Sequence, residues 1–72
     1  MKKTLSDLLC LTKSNLIITA KGRTTSDLTQ IVEGIGLNSS HVTITDADSI
    51  TLADLLLIAG NYPSNVTFEF NL

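Results

Sequence analysis

At 72 residues, with five Lys and Arg against seven Asp and Glu and a formal net charge of -2, the chain lacks the basic stripe and interleaved aromatics of a nucleic-acid surface. Its 43% hydrophobic and 17% charged composition belongs to a folded chain and not to a disordered one. A single cysteine, Cys10, and a single histidine, His41, exclude an internal disulfide and supply no zinc ligand set. Without a staple, cohesion rests on a core that covers only about 60% of the surface exposed by an unfolded chain of this size, so association with a second copy is expected.

The chain starts Met1-Lys2-Lys3, ahead of Leu8-Leu9-Cys10-Leu11, in the outline of a secretion or lipoprotein signal. The apolar stretch is short, Asp7 and Lys13 interrupt it, no small-residue cleavage site follows, and Leu9 is too large for a lipobox. No apolar run approaches the ~20 residues that span a bilayer. The expected location is the cytoplasm, with Cys10 as a small core residue.

Three segments share the form T-x-[S/A]-D-L: Thr4 to Leu8, Thr24 to Leu28 and Thr51 to Leu55. Each reads as a helix start. The Thr hydroxyl caps the amide three residues on, and the Asp can reach back to the cap's own amide while complementing the helix dipole. In the first unit Leu5, Leu8, Leu9 and Leu11 or Thr12 follow a helical spacing, and Asn15 to Ala20 then reads as a strand. In the second, Leu28, Ile31, Val32 and Ile35 fit i, i+3, i+4, i+7, Gly36 reads as the helix stop, and His41 to Thr45 is the strand. In the third, Leu52 to Ala59 is apolar nearly all round with Gly60 ending it, so this helix is expected to be buried on more than one side or to cover a partner. Asn65 to Phe70 closes the pattern as a strand after the turn at Pro63-Ser64. Asp7, Asp27 and Asp54 are thereby accounted for as capping residues.

Strand starts 26 and 24 residues apart, with a helix between each pair, imply a parallel sheet. The fold class is therefore α/β: three helix-strand repeats over 1–72, in units of about 4–23, 24–50 and 51–72, forming one domain. The second and third strands alternate, Val42 and Ile44 against His41, Thr43 and Thr45, and Val66, Phe68 and Phe70 against Thr67 and Glu69. A sheet covered on both sides would be apolar throughout, so helices are expected on one face only. The open face should carry Ile17, Thr19, His41, Thr43, Thr45, Thr67 and Glu69 as a protein-binding surface. In the order 1-2-3 both outer strands have bare edges that invite pairing with another copy.

A single layer of parallel strands backed by helices, repeating every ~25 residues, resembles the helix-containing leucine-rich repeats and related α/β solenoids. Val42-Thr43-Ile44-Thr45-Asp46-Ala47-Asp48, followed by the helix from Thr51 to Ala59, carries the resemblance. It departs in lacking the family's Asn after the strand, where Asp46 or Asp48 stands, and in its unequal repeat lengths. The resemblance implies binding of other proteins through the strand face. The expected function is a small non-catalytic interaction or assembly module, homo-oligomeric, without cofactor or metal and without nucleic-acid or membrane partners.

The alternative is a carrier-type or regulatory subunit of an enzyme complex. Asp46-Ala47-Asp48-Ser49-Ile50 is similar to the Asp-Ser-Leu signature of acyl carrier proteins, with Ser49 as attachment site, although carriers have long helices on both sides of that Ser. Other chemistry lacks its residues. A calcium loop counted from Asp46 would place Thr51 and Leu57 where Gly and Glu are required. His41 has no triad or metal partners by spacing. Gly34-Ile35-Gly36 follows a helix, whereas a phosphate cradle precedes one.

Overall fold

The computed structural model describes residues 4–71; Met1-Lys2-Lys3 and the end of the third unit at Leu72 lie outside the described residues. Thr4, Thr24 and Thr51 adopt extended backbone conformations and open helices α1 (Leu5–Cys10), α2 (Thr25–Leu37) and α3 (Leu52–Ala59). Their hydroxyls accept from the amides of Asp7, Asp27 and Asp54 at 3.2, 3.1 and 3.2 Å. A cap of this kind is worth about 1 kcal/mol. At α1 the Asp7 carboxylate also accepts from the Thr4 amide, closing the box. At α3 the Asp54 carboxylate lies 3.5 Å from the Thr25 hydroxyl of the preceding helix, so the third cap also links two units.

Two expectations about the helices are corrected. Gly36 does not stop α2. The helix continues to Leu37, Asn38 caps it, and Ser39 turns the chain away with φ +55°. The glycine is there for space: a Cβ at Gly36 would fall 2.1–2.6 Å from the ring atoms of Tyr62. Nor is Cys10 a core residue, because it points outward from the last turn of α1 and is exposed. Gly60 does end α3, at φ +52° with its amide bonded to the Leu56 carbonyl, a conformation that suits glycine.

Strands β1 (Leu16–Thr19), β2 (Val42–Thr45) and β3 (Val66–Phe68) form one sheet in the order β1-β2-β3. Both pairings are parallel, aligning Leu16, Val42 and Val66 in one row, Ile17, Thr43 and Thr67 in the next, and Ile18, Ile44 and Phe68 in the third. The regular strands are shorter than the sequence runs. Main-chain bonds extend the ladder past them, with Ala20 donating to Thr45, Glu69 donating to Ile44, and Ala47 donating to Glu69. Short 3-10 turns, Ala47–Ser49 and Pro63–Asn65, lead into α3 and β3.

The alternation dictates what the sheet buries. Leu16, Ile18, Val42, Ile44, Val66 and Phe68 point into a core shared with Leu8, Leu28, Ile31, Val32, Ile35 and Ile58 of the helices. Burial is graded across the sheet: Val42 and Ile44 of β2 are fully buried, while their row partners in β1 and β3 are only half-buried. A buried aliphatic side chain contributes about 1.5–3 kcal/mol, so the middle unit carries the greater part of the cohesion. Between helices, the buried Thr12 hydroxyl donates to the Leu9 carbonyl and accepts from the Asn38 side-chain amide at 3.2 Å. The third helix is buried on one side only, and Leu52, Leu56 and Leu57 face outward.

The Gly36–Tyr62 contact yields a paired test. Alanine normally favours a helix interior over glycine by about 1 kcal/mol, but here it collides with the ring. Gly36→Ala is expected to destabilise the protein by roughly 1–3 kcal/mol, as overpacked cores do. In a Tyr62→Ala background the same substitution should be neutral or stabilising. Urea unfolding of the four variants measures this; equal costs in both backgrounds would place the strain elsewhere.

Candidate functional site

The face of the sheet away from the core is assembled from residues one step out of phase with the core rows. Its central row is Ile17, Thr43 and Thr67, with Ile17 78% exposed. His41, just ahead of β2, lies on the same face, and its Nε2 is 2.8 Å from the Thr67 hydroxyl. Glu69 is exposed on the extension of β3. The expected set therefore does share one face, but its members are not equally presented. Thr19 and Thr45 are engaged at the sheet's end: the Thr19 hydroxyl donates to Asp46 at 2.9 Å, and the Thr45 hydroxyl donates to the Ile18 carbonyl at 3.3 Å.

Asn15 and Asn65 flank this face and do more than make turns. The Asn15 side-chain oxygen accepts from the His41 amide, and the Asn65 side-chain amide donates to the Ser40 carbonyl, both at 2.9 Å. Each ties one unit to its neighbour across about 25 residues of sequence. The signal was present in the similar spacing, 26 and 24 residues, of Asn15, His41 and Asn65, each just ahead of a strand.

At the carboxyl ends of the strands, Asp46 occupies the left-handed region (φ +57°), which Asp tolerates better than most residues. Its carboxylate accepts from Thr19, from the Asn71 side-chain amide at 3.1 Å, and more distantly from Thr45 at 3.5 Å. The Asp48 carboxylate accepts from the Asn71 amide at 2.9 and 3.0 Å. Hydrogen bonds from Thr19 and then Asn71 hold the Asp46 carboxyl below its ordinary range, with smaller help from the Lys21 charge and from Thr45, against a desolvation that acts the other way. These acids bind the chain's own donors and fasten the segment after β3. Sequence reasoning placed Asp46 and Asp48 in the turn but gave no role to Asn71.

No group of three or more His, Cys, Asp and Glu is placed to hold a metal among the described residues. Ser49 ends the 3-10 turn after β2 and is exposed, so a strand and not a helix precedes it. A cleft of about 200 Å³ lies on the helix side, between Thr29, Val32 and Glu33 of α2 and Ile58, Ala59 and Tyr62 at the end of α3. It is smaller than the ~300–1,000 Å³ usual for small-molecule sites. No helix among the described residues is long and apolar enough to cross a membrane.

These features define a small mixed α/β protein with a three-stranded parallel sheet, three helices and a polar sheet face. No protein-family model matches the chain, and neither a curated protein nor a solved structure is significantly similar to it.

The depressed Asp46 value fixes the sign of a pH effect. A carboxyl whose folded pKa lies below its unfolded one stabilises the fold above the unfolded value, near 4, and loses that contribution as pH falls through the folded value. Wild type is expected to exceed Asp46→Asn in urea midpoint at pH 6, with the gap narrowing steadily below pH 4. A gap that stays constant down to pH 2 would contradict the role given to this carboxylate.

Proposed function

We propose that this protein is a non-catalytic protein-interaction module that presents its open sheet face to a partner protein. The observation that supports it is the central row of that face. Ile17 is a large aliphatic side chain left 78% exposed, beside Thr43 and Thr67 in strict register. β-Branched side chains lose little rotamer freedom when they bind, and the sheet holds them in a fixed array. Similar helix-strand units stacked side by side with a free strand face is the arrangement by which leucine-rich repeats and related solenoids bind proteins, and we read this chain as a short array of that kind. The exposed thiol of Cys10 suits a reducing compartment such as the cytoplasm.

Size constrains how such a face can act. Three strands ~4.8 Å apart and four residues rising ~3.3 Å each give a platform of roughly 10 by 13 Å. A standard interface buries about 800 Å² per partner. One copy of the face is therefore a weak platform for a folded partner, and joining copies into one larger surface would strengthen it.

The test is a double variant, Ile17→Glu with Thr43→Lys. Both side chains point away from the core, so circular dichroism and the melting temperature should hold within a few degrees. A partner recovered from native extract by wild type should be lost or bound at least tenfold more weakly. Undiminished recovery, or photo-cross-links to that partner from the helix side and none from the position of Thr43, would reject the sheet face as the binding surface.

A further inference from the structure

The three helices can be superposed by their caps, and doing so shows which side of each faces the next unit. Positions one and five after the cap are Leu5 and Leu9 in α1, Thr25 and Thr29 in α2, and Leu52 and Leu56 in α3. Leu5 and Leu9 pack against the shared core. The Thr25 hydroxyl meets Asp54 of α3, and Thr29 lines the cleft between α2 and α3. In α2, then, these two positions look toward the following helix. At the third helix the same positions hold two leucines that no described residue covers, 72% and 67% exposed.

The strand below shows the same deficit. Val66, Phe68 and Leu55 are half-buried, whereas their counterparts in the middle unit, Val42, Ile44 and Leu28, are fully buried. Phe70, two steps further along the same alternation as Phe68, is 45% exposed. β3 is also an edge, paired only on its β2 side among the described residues. Sheet edge and apolar helix flank thus end together on one side of the molecule, at the place where a fourth unit would sit.

We infer that a second copy of this chain covers that side across a two-fold axis, pairing β3 antiparallel with its mate and packing Leu52 and Leu56 of α3 against the same residues of the other α3. The inference goes beyond the proposed function and uses none of the sheet face. Charge selects this end and this symmetry. The outward flank of α3 shows Leu52, Ala53, Leu56 and Leu57, and the helix's only charge, Asp54, is turned toward Thr25. Such a surface is self-complementary, as a two-fold contact requires. In the chain the opposite edge strand, β1, follows Lys13 and precedes Lys21 and Arg23, three charges against the single Glu69 on the extension of β3, and charged residues beside a strand discourage edge pairing. An interface of about 800 Å² per partner would use roughly a sixth of the chain's 4551 Å² surface. The two sheets would join into six strands with their open faces on one side, doubling the binding platform.

Sedimentation equilibrium of the full chain at 1–100 µM should give twice the monomer mass. Leu52→Glu with Leu56→Glu should give a monomer with an unchanged circular dichroism spectrum, while Leu37→Glu, an equally exposed leucine on α2, should remain dimeric. As a check independent of that variant's folding, L56C in a C10S background should form a covalent dimer under mild oxidation. A monomeric mass for wild type throughout the range, or a dimer that survives both glutamates, would overturn the inference. So would open-ended growth, with L56C linking to L11C and not to itself, since that is head-to-tail stacking. The Ile17→Glu, Thr43→Lys variant should stay dimeric, so loss of partner binding and loss of dimerisation are separately readable.

Discussion

The structure depends on the parallel pairing of β2 with a strand on either side. Only that pairing gives Val42 and Ile44 apolar row partners left and right, and among the strands only there is burial complete. A parallel pair cannot be closed by a tight turn, so each crossing needs a helix, and each helix needs a start signal that works within one turn. The repeated Thr cap supplies it. Helix, strand and cap are consequences of one requirement, that three short strands lie side by side in the same direction.

The side-chain hydrogen bonds follow from that geometry. Asn15 to His41, His41 to Thr67, Thr19 to Asp46, Asn38 to Thr12 and Asn65 to Ser40 each join residues 25–27 apart, the distance from one unit to the next. Individually each contributes on the order of 1 kcal/mol or less. Their number matters because the outer units have little buried apolar surface with which to hold their places.

Much of this was legible in the sequence because it is written in local codes. Three caps, three strand runs, two of them alternating, and the glycine after α3 predict the elements, and the alternation predicts which residues of β2 and β3 face the core. What escaped is what local codes cannot express. Gly36 reads as a helix stop, yet its lack of a side chain serves Tyr62, a ring 26 positions away that no periodicity reveals. Cys10 reads as core because it sits among leucines, but two residues past the buried Leu8 is about 200° round the helix, which turns its side chain outward. The all-round apolar character of α3 was visible; that its outer flank finds no cover among the described residues required coordinates. On the sheet face, alternation correctly grouped Ile17, His41, Thr43, Thr67 and Glu69, but could not tell that Thr19 and Thr45 spend their hydroxyls on Asp46 and the Ile18 carbonyl.

If the middle unit is the source of cohesion, protection from amide hydrogen exchange should be graded outward from it. Native-state exchange followed by NMR should find the slowest amides in β2 and in α2 around Ile31 to Ile35, with faster exchange in α1 and beyond Phe68. Uniform protection across all three units, or slowest exchange in α1 and β1, would contradict a fold organised around β2.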